Sequence, residues 1–472
     1  MLFRSPARRL SYAEADRVIS AIAARLRRLG LQPDTVVGIL LPNTVEGVLT
    51  ILGVLRAGMI AAPLPLLWRR AEATQALGRA GAKIIITASR VGDFDLCGLT
   101  MRVAAELFPI RFVCSFGTGL PDGVIPFDDL LIAGANEEPA ALERDRSPAL
   151  HVALVTWEVT PGGMVAVARN HPHLIAGGLA TLLEGGLEPD AAILGCCACS
   201  SFAGLALTVL PWLLAGGTLS LHHSFDAEAF AAQCREDRSD SVVVPGALVP
   251  RLAAAGLLAH PELRNVLAVW RAPERLLLSP AWQHPSAGLV DMLVFGETAL
   301  LGSRRGADGR ATPLPFGDVR APRDSGKAVW TAEIARTPAG TIALRGPMVP
   351  RHPFPPGVER LAAPHFKADA SGFVDTGYSC RLDRAGETVT VTGPPPGIVS
   401  VGGYRFVLNE LEDLVRQTDS GAALTALPDA LAGHRLAGIA GDADSVRAGL
   451  VALGLNPLVT EAFRDRRKSQ AA

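Results

Sequence analysis

Few residues of this 472-residue chain could do chemistry, and they are scattered along it. Cys196, Cys197 and Cys199 form the densest group of potential metal ligands or nucleophiles. No second Cys/His pair lies at zinc-finger spacing from them, so the group does not predict a metal site. We expect three small buried thiols on a strand, in a protein of the reducing cytoplasm.

Acid–base and nucleophilic candidates are equally sparse. His171 and His173 have no evident acidic partner in the sequence, and no serine lies in a Gly-x-Ser-x-Gly turn. The chain has only four lysines: Lys83, Lys327, Lys367 and Lys468. A reaction that depends on a lysine therefore has few residues to draw on.

The composition is that of a large globular protein, with 49% hydrophobic and 19% charged residues. The length is enough for two or three domains. A formal net charge of -1 argues against a nucleic-acid-binding face, which would be strongly basic. The first residues lack the long apolar core of a signal peptide.

The segment Ala191–Phe225 contains no Asp, Glu, Lys or Arg and is long enough to cross a bilayer. Glycine and proline divide it into a strand (Ala192–Cys197), a helix (Phe202–Leu214) and a second strand (Thr218–Leu221). We therefore predict a buried βαβ unit and no membrane span.

The first helix is predicted from a Ser11–Glu14 capping box, followed by apolar residues on one face and Gly30 at its end. Short apolar strands and helices then alternate, which is typical of an α/β fold with mostly parallel sheets covered by helices. After about Thr312 the pattern becomes β-rich. Pro394–Gly397 resembles a stiff joint that precedes a small α+β segment. We predict a large N-terminal domain (1–396) and a small C-terminal domain (397–472).

Seven segments in this order resemble the adenylate-forming superfamily of acyl-CoA synthetases, peptide-synthetase adenylation domains and luciferases. The segments are residues 41–64, 214–221, 225–230, 294–299, 342–349, 375–387 and 401–415. The resemblance implies a two-step reaction, in which a small-molecule carboxylate reacts with Mg-ATP to give an acyl-adenylate, and coenzyme A then takes the acyl group.

The stretch Thr156–His171 stands where the family has its phosphate-binding loop. Residues that keep the family's character are Thr160, Gly162 and Gly163. Glu158 places a carboxylate where a hydroxyl is expected, and Pro161 removes an N–H donor. Ala166 stands near the lysine position, which leaves Arg169 as the nearest cation. A tight turn at the glycines is favoured over a phosphate-binding nest.

Other family contacts differ too. Ala299 stands where a Glu helps to hold Mg²⁺, although Glu297 would share that face on an extended segment. Tyr378 replaces the ribose-binding Asp, and Pro394 and Gly397 replace an Arg and a charged hinge residue. No Gly-Lys motif precedes the end of the chain. Lys468, Arg466 and Arg467 are predicted to form a solvated basic tail there.

Part of the implied pocket remains. The candidates for the nucleotide and acyl pocket are Ser201, Phe202, Arg271, Ala272, Pro273, Phe295, Gly296, Thr298 and Tyr378, together with the loop residues Thr160, Gly162 and Gly163. The candidates beside the thiol tunnel are Gly402, Gly403 and Tyr404. Glu297 and Thr298 are the candidates for catalysis, and no metal site is predicted. For each of these residues, packing or turn formation is the competing interpretation.

Three functions stay open from the sequence. The chain could be an acyl-CoA synthetase-like protein with weak or no adenylation, which binds an acyl group, acyl-CoA or a protein partner without catalysis. It could be a working ligase that uses Glu297 and Arg169 as substitutes. ATP-independent acyl chemistry has the least support. The oligomeric state is not readable from the sequence, and a homodimer is one candidate because dimers are the commonest oligomers.

Overall fold

The computed structural model describes residues 9–132, 147–322, 328–362 and 364–464. Its strands in chain order are β1 (Val36–Leu40), β2 (Ile60–Pro63), β3 (Ile84–Ala88), β4 (Arg90–Val91), β5 (Phe94–Asp95), β6 (Phe112–Phe116), β7 (Ile125–Pro126), β8 (Val152–Thr160), β9 (Gly163–Asn170), β10 (Ala192–Gly195), β11 (Thr218–Leu221), β12 (Ser241–Pro245), β13 (Asn265–Trp270), β14 (Gly288–Phe295), β15 (Ala299–Arg304), β16 (Leu314–Pro315), β17 (Gly317–Ala321), β18 (Val329–Arg336), β19 (Thr341–Arg345), β20 (Val374–Leu382), β21 (Thr388–Gly393), β22 (Ile398–Val401), β23 (Tyr404–Val407), β24 (Ala423–Asp429) and β25 (Gly433–Ile439).

The helices lie mostly between the strands of the first two sheets and in the C-terminal part. They are α1 (Tyr12–Arg28), α2 (Val45–Arg56), α3 (Arg70–Ala80), α4 (Leu96–Glu106), α5 (Asp129–Ile132), α6 (His171–Gly185), α7 (Phe202–Leu207), α8 (Val209–Ala215), α9 (Ala227–Glu236), α10 (Val249–Ala254), α11 (Leu408–Thr418), α12 (Ala443–Leu453) and α13 (Pro457–Thr460).

Two mostly parallel sheets form the body of the N-terminal part. The first has the order β7-β6-β3-β1-β2-β8-β9, and only its last pair is antiparallel. The second has the order β11-β10-β12-β13-β14-β15, again with one antiparallel pair at its edge. Strands such as β1 and β12 are buried on both faces, which explains their unbroken apolar sequences. This arrangement confirms the predicted fold class.

Besides the short antiparallel pair β4-β5, two larger antiparallel sheets follow in the chain. The third sheet, β16-β21-β20-β19-β18-β17, is the β-rich region predicted after Thr312. The fourth sheet, β23-β22-β25-β24, belongs to the smaller C-terminal domain and shares a separate apolar core with α11 and α12. The boundary at residues 396 and 397 falls between these two sheets, and it stays a prediction.

The uncharged segment 191–225 forms strand, helix and strand as expected, but its helix is broken in two. The Thr208 backbone leaves the helical region and separates α7 from α8. Pro211 explains the break, because it has no N–H and its ring would clash with the carbonyl of Leu207 in a continuous helix. Among the described residues, no helix has the length and apolar character needed to cross a bilayer.

The cysteine prediction was partly wrong. Strand β10 ends at Gly195, so Cys196, Cys197 and Cys199 lie in the loop that follows it. Cys197 and Cys199 are buried, and Cys196 is half-buried. Burial raises the pKa of Cys199 to about 12, so its thiol stays protonated at neutral pH.

Candidate functional site

The stretch in the phosphate-loop position is a β-hairpin. Strands β8 and β9 are joined by Pro161 and Gly162, with Thr160 paired to Gly163. The Thr160 hydroxyl donates to the carbonyl of Gly163 at 2.9 Å, so it closes the turn. Gly163 has a φ of +105°, which favours glycine there. The two glycines therefore form the tight turn that the sequence favoured.

Glu158 lies near the end of β8 and forms an ion pair with Arg405 of β23. The two side chains are 10% and 13% exposed, so the pair is buried. The second Glu158 oxygen accepts a hydrogen bond from the backbone N–H of Glu297. Burial opposes the charge of Arg405, but Glu158 and Tyr378 outweigh it and raise the pKa of that guanidinium. The Arg405 guanidinium is therefore charged at neutral pH.

Glu297 does not lie on an extended segment, so the expectation that it shares a face with Ala299 was wrong. Residues 296–298 form a three-residue turn between β14 and β15. The carboxylate of Glu297 accepts the backbone N–H of Phe202 at 2.9 Å. Burial raises its pKa, and Arg169 opposes that rise. Glu297 thus satisfies the first N–H of α7 inside the protein.

Arg169, on β9, is completely buried. Its guanidinium donates to the carbonyl of Glu297, to that of Thr298 at 3.3 Å and to the Thr156 hydroxyl at 3.3 Å. It also lies 3.8 Å from the centre of the Phe202 ring. Burial lowers its pKa to about 10, which leaves it charged at neutral pH. This cation holds the β14–β15 turn against the hairpin.

Ser201 and Arg271 meet at the next edge of the site. Ser201 caps α7, and Arg271 Nη2 donates to its hydroxyl at 2.7 Å. Ala272 and Pro273 follow, with Pro273 at the start of a short 3-10 helix. The Arg271 side chain also covers Gly403, where a Cβ atom would lie 2.8 Å from Arg271 Cδ.

Two aromatic residues close the opposite edge. Phe295 and Tyr378 are buried and pack edge to face, with ring centres 5.6 Å apart. The Tyr378 hydroxyl donates to the carbonyl of Arg271 at 3.4 Å. Burial raises the pKa of Tyr378 to about 12. The ring is therefore neutral and acts as packing beside Arg405, 5.7 Å from its centre.

The thiol-tunnel candidates form the hairpin between β22 and β23. Gly402 and Gly403 are its two loop residues, with φ of +58° and +88°. Positive φ at both positions is what a two-residue hairpin of this twist requires. The hydroxyl of Tyr404 accepts the N–H of Leu67 at 3.2 Å, so this hairpin is bonded to the N-terminal part.

A second set of contacts joins the C-terminal domain to α3. The N–H of Ala71 donates to the carbonyl of Gly454 at 3.0 Å, and the N–H of Asn456 donates to Glu72 at 2.9 Å. Arg70 donates to the carbonyl of Ala452 at 2.9 Å. With the Glu158–Arg405 pair and Tyr404, these bonds fix the C-terminal domain against the large domain at two separated places.

Most of the predicted site residues therefore lie close together in the structure, but their polar groups bond to one another. Sequence reasoning singled out Glu158 and Arg169 but missed Arg405. A buried glutamate is almost always paired, which signals a partner without identifying it. His173 is also engaged, since its ring accepts the N–H of Asn170 at the start of α6. Burial lowers the pKa of His173 to about 4.

Two further predictions concern a metal ion and the basic residues near the end of the chain. Among the residues that the structure describes, no three His, Cys, Asp or Glu residues are grouped to hold a metal ion. Lys468, Arg466 and Arg467 lie outside the described residues.

Gly296 tests how closely this network is packed. It has a φ of +55°, and a Cβ there would overlap the Glu158 carboxylate and the Arg405 guanidinium. Gly296→Ala should lower the free energy of unfolding by at least about 2 kcal/mol, from backbone strain and displacement of the ion pair. Gly441→Ala is the matched control, because nothing lies within 4 Å of its Cβ position. Equal urea midpoints for the two variants would contradict this packing.

Comparison with known proteins identifies relatives of the whole chain. Residues 2–109 match the family model described as AMP-binding enzyme. A 2-hydroxy-7-methoxy-5-methyl-1-naphthoate–CoA ligase of Streptomyces carzinostaticus is 27% identical over 449 residues, covering 91% of this chain and 78% of its own. Triostin synthetase I of Streptomyces triostinicus is 28% identical over 451 residues, covering 90% and 79%.

Solved structures have the same fold. An amide bond synthetase of Marinactinospora thermotolerans superposes with a TM-score of 0.70 at 19% identity, over 95% of this chain and 90% of that one. An o-succinylbenzoate CoA synthetase of Bacillus subtilis gives a TM-score of 0.68 at 15% identity, over 96% and 88%.

Proposed function

We propose that this chain is an acyl-CoA synthetase-like member of the adenylate-forming superfamily whose nucleotide-binding positions have become structural, so that it forms an acyl-adenylate weakly or not at all. The observation that carries the proposal is the buried network of Glu158, Arg405, Glu297 and Arg169. Each charged group in it is already engaged by another part of the chain.

Phosphate binding needs N–H donors and cations that are free to face the ligand. Here the N–H of Glu297 is taken by Glu158, and the N–H of Phe202 is taken by Glu297. Releasing Arg405 toward a phosphate would leave the Glu158 carboxylate buried without its cation. Releasing Arg169 would leave the buried carbonyls of Glu297 and Thr298 without their donor. Breaking a buried pair costs about 3–5 kcal/mol, which would weaken binding by roughly 10²–10⁴-fold.

A magnesium ion fits these residues no better. Glu297, the substitute that the sequence offers near Ala299, accepts a backbone N–H beside the Arg169 cation. A metal would have to displace both interactions. We therefore assign no role to Mg-ATP in this chain, and the working-ligase alternative based on Glu297 and Arg169 is disfavoured by their contacts.

Binding without adenylation is the function that remains for the site. We infer that the chain binds an acyl group, acyl-CoA or a protein partner, since the fold is retained while the nucleotide positions are filled. The relatives named above include two CoA ligases by name, which makes an acyl thioester the first ligand to test. We also propose that the chain is a homodimer.

Calorimetric titration tests this proposal directly. We expect no heat with Mg-ATP or with a non-hydrolysable acyl-adenylate mimic, and a cooperative melt that shows the protein is folded. A panel of acyl-CoA thioesters titrated under the same conditions should then reveal the retained ligand. Micromolar binding of both Mg-ATP and the adenylate mimic would contradict the proposal, and thioester formation with any carboxylate would overturn it.

A further inference from the structure

Helix α6 exposes an apolar face. A helix that is apolar on all sides is normally buried on all sides. The first thirteen residues of α6 carry no Asp, Glu, Lys or Arg, yet Ile175 and Leu179 are 52% and 38% exposed. These two side chains lie one turn apart, so they share a face.

Helix α8 continues this face. A Cβ atom at Gly178 would lie 2.5 Å from Leu210 Cβ and 3.3 Å from Leu214 Cδ1, so the two helices touch along this line. Leu213 and Leu214 are 42% and 44% exposed. Leu150, 64% exposed, precedes His151, whose ring centre is 5.1 Å from that of His171 at the start of α6. We call Leu150, Ile175, Leu179, Leu213 and Leu214 the α6–α8 face.

We propose that the α6–α8 face is the contact between two copies of this chain related by a twofold axis. In such a contact each patch meets its own copy, so a charged patch would repel itself. The α6–α8 face has no charged member. The proposal concerns the surface of the molecule and does not depend on whether the adenylation site is active.

The size of the face agrees with a dimer contact. Five large aliphatic side chains, each about half exposed, offer on the order of 400 Å² of apolar surface. A standard interface buries about 800 Å² per partner, of which a little over half, roughly 450 Å², is apolar. The α6–α8 face of one copy therefore supplies nearly all of the apolar surface that one partner contributes to such an interface.

The border of the face favours a second copy over a lipid surface. The charged residues that follow α6 are Glu188 and Asp190, and both are exposed. Helices that lie on membranes carry lysine and arginine beside their apolar face, because cell membranes are anionic. Acidic neighbours oppose that binding, whereas in a dimer they can stay in water at the rim.

Sedimentation velocity of the full chain tests the proposal. We expect a dimer at micromolar concentration, and a roughly 100-fold or greater weakening of self-association in Leu179→Arg and in Leu214→Arg, since each buries an unpaired charge in the contact. Phe108→Arg is the matched control, because Phe108 is 99% exposed and lies outside the face. Its dimer should be unchanged. Circular dichroism and melting of all variants should match those of the parent chain.

Three results would overturn the proposal. The first is a chain that stays monomeric up to about 100 µM, and the second is a dimer that both arginine variants leave intact. The third is a monomer that pellets with neutral phosphatidylcholine vesicles and loses this binding in Leu179→Arg, which would assign the face to a membrane. If the dimer is confirmed while Mg-ATP is found to bind, only the proposed loss of adenylation fails.

Discussion

Replacing Arg405 by methionine should lower the free energy of unfolding by about 3–5 kcal/mol, because Glu158 would then be a buried carboxylate without a cation. The effect should be large because both side chains are almost fully buried and Glu158 also holds the N–H of Glu297. Urea denaturation at pH 7, followed by circular dichroism, measures it. The same substitution should loosen the C-terminal domain, since Arg405 is one of its main contacts with the large domain.

A second substitution separates the charge effect from the loss of packing. In Glu158→Gln combined with Arg405→Met, an amide oxygen can still accept the N–H of Glu297, but no charge is left unpaired. We expect the double variant to be more stable than Arg405→Met alone by about 1–2 kcal/mol. If the double variant is less stable than the single one, the buried pair is not the reason for the loss.

The fold was largely predictable because its signals are local. The capping box of Ser11 and Glu14 and the strand Thr218–Leu221 follow from the sequence as the structure has them. Each depends on residues close together in the chain. The break at Thr208 is not predicted from the sequence, because Pro211 is taken there as a boundary marker within a buried segment. In the structure, Pro211 interrupts the helix in which it lies.

The site was less predictable because its contacts join distant parts of the chain. Glu158 and Arg405 are 247 residues apart, and Arg169 and Glu297 are 128 apart. The sequence shows which residues are charged, but it does not show which residues they contact in the fold. The position of Glu297 was wrong for a related reason: a glycine with positive φ at 296 turned the expected extended segment into a hairpin turn.

The joint between the domains illustrates the same limit. Pro394–Gly397, which the sequence predicts to be a stiff joint, connects β21 to β22. Its composition does not show that α3 receives bonds from the region around Gly454, which lies near the other end of the C-terminal domain. The C-terminal domain therefore contacts the large domain at two separated places, at α3 and at the Glu158–Arg405 pair.

Arg169→Leu should be about as destabilising as Arg405→Met at alkaline pH, and less so in acid. Removal of this guanidinium leaves the buried carboxylate of Glu297 without its cation and the carbonyl of Thr298 without its donor, which costs about 3–5 kcal/mol at pH 8. Burial already raises the pKa of Glu297, and loss of Arg169 should raise it further. A carboxyl with a raised folded-state pKa binds its proton more tightly in the folded protein. The contribution of this carboxyl group to the free energy of unfolding is therefore favourable at low pH, and it is lost as the pH rises through the folded-state pKa.

The stability lost on this substitution should accordingly be smaller at pH 5 than at pH 8, as measured by urea denaturation of parent and variant at both values. Arg251→Leu, at an exposed position on α10, should cost little at either pH. In a Glu297→Gln background the titrating group is absent, so the loss caused by adding Arg169→Leu, measured against Glu297→Gln alone, should be the same at the two pH values. A pH dependence that survives in this double variant would show that Glu297 is not the carboxylate that Arg169 neutralises. Another acidic group would then have to balance the charge of Arg169.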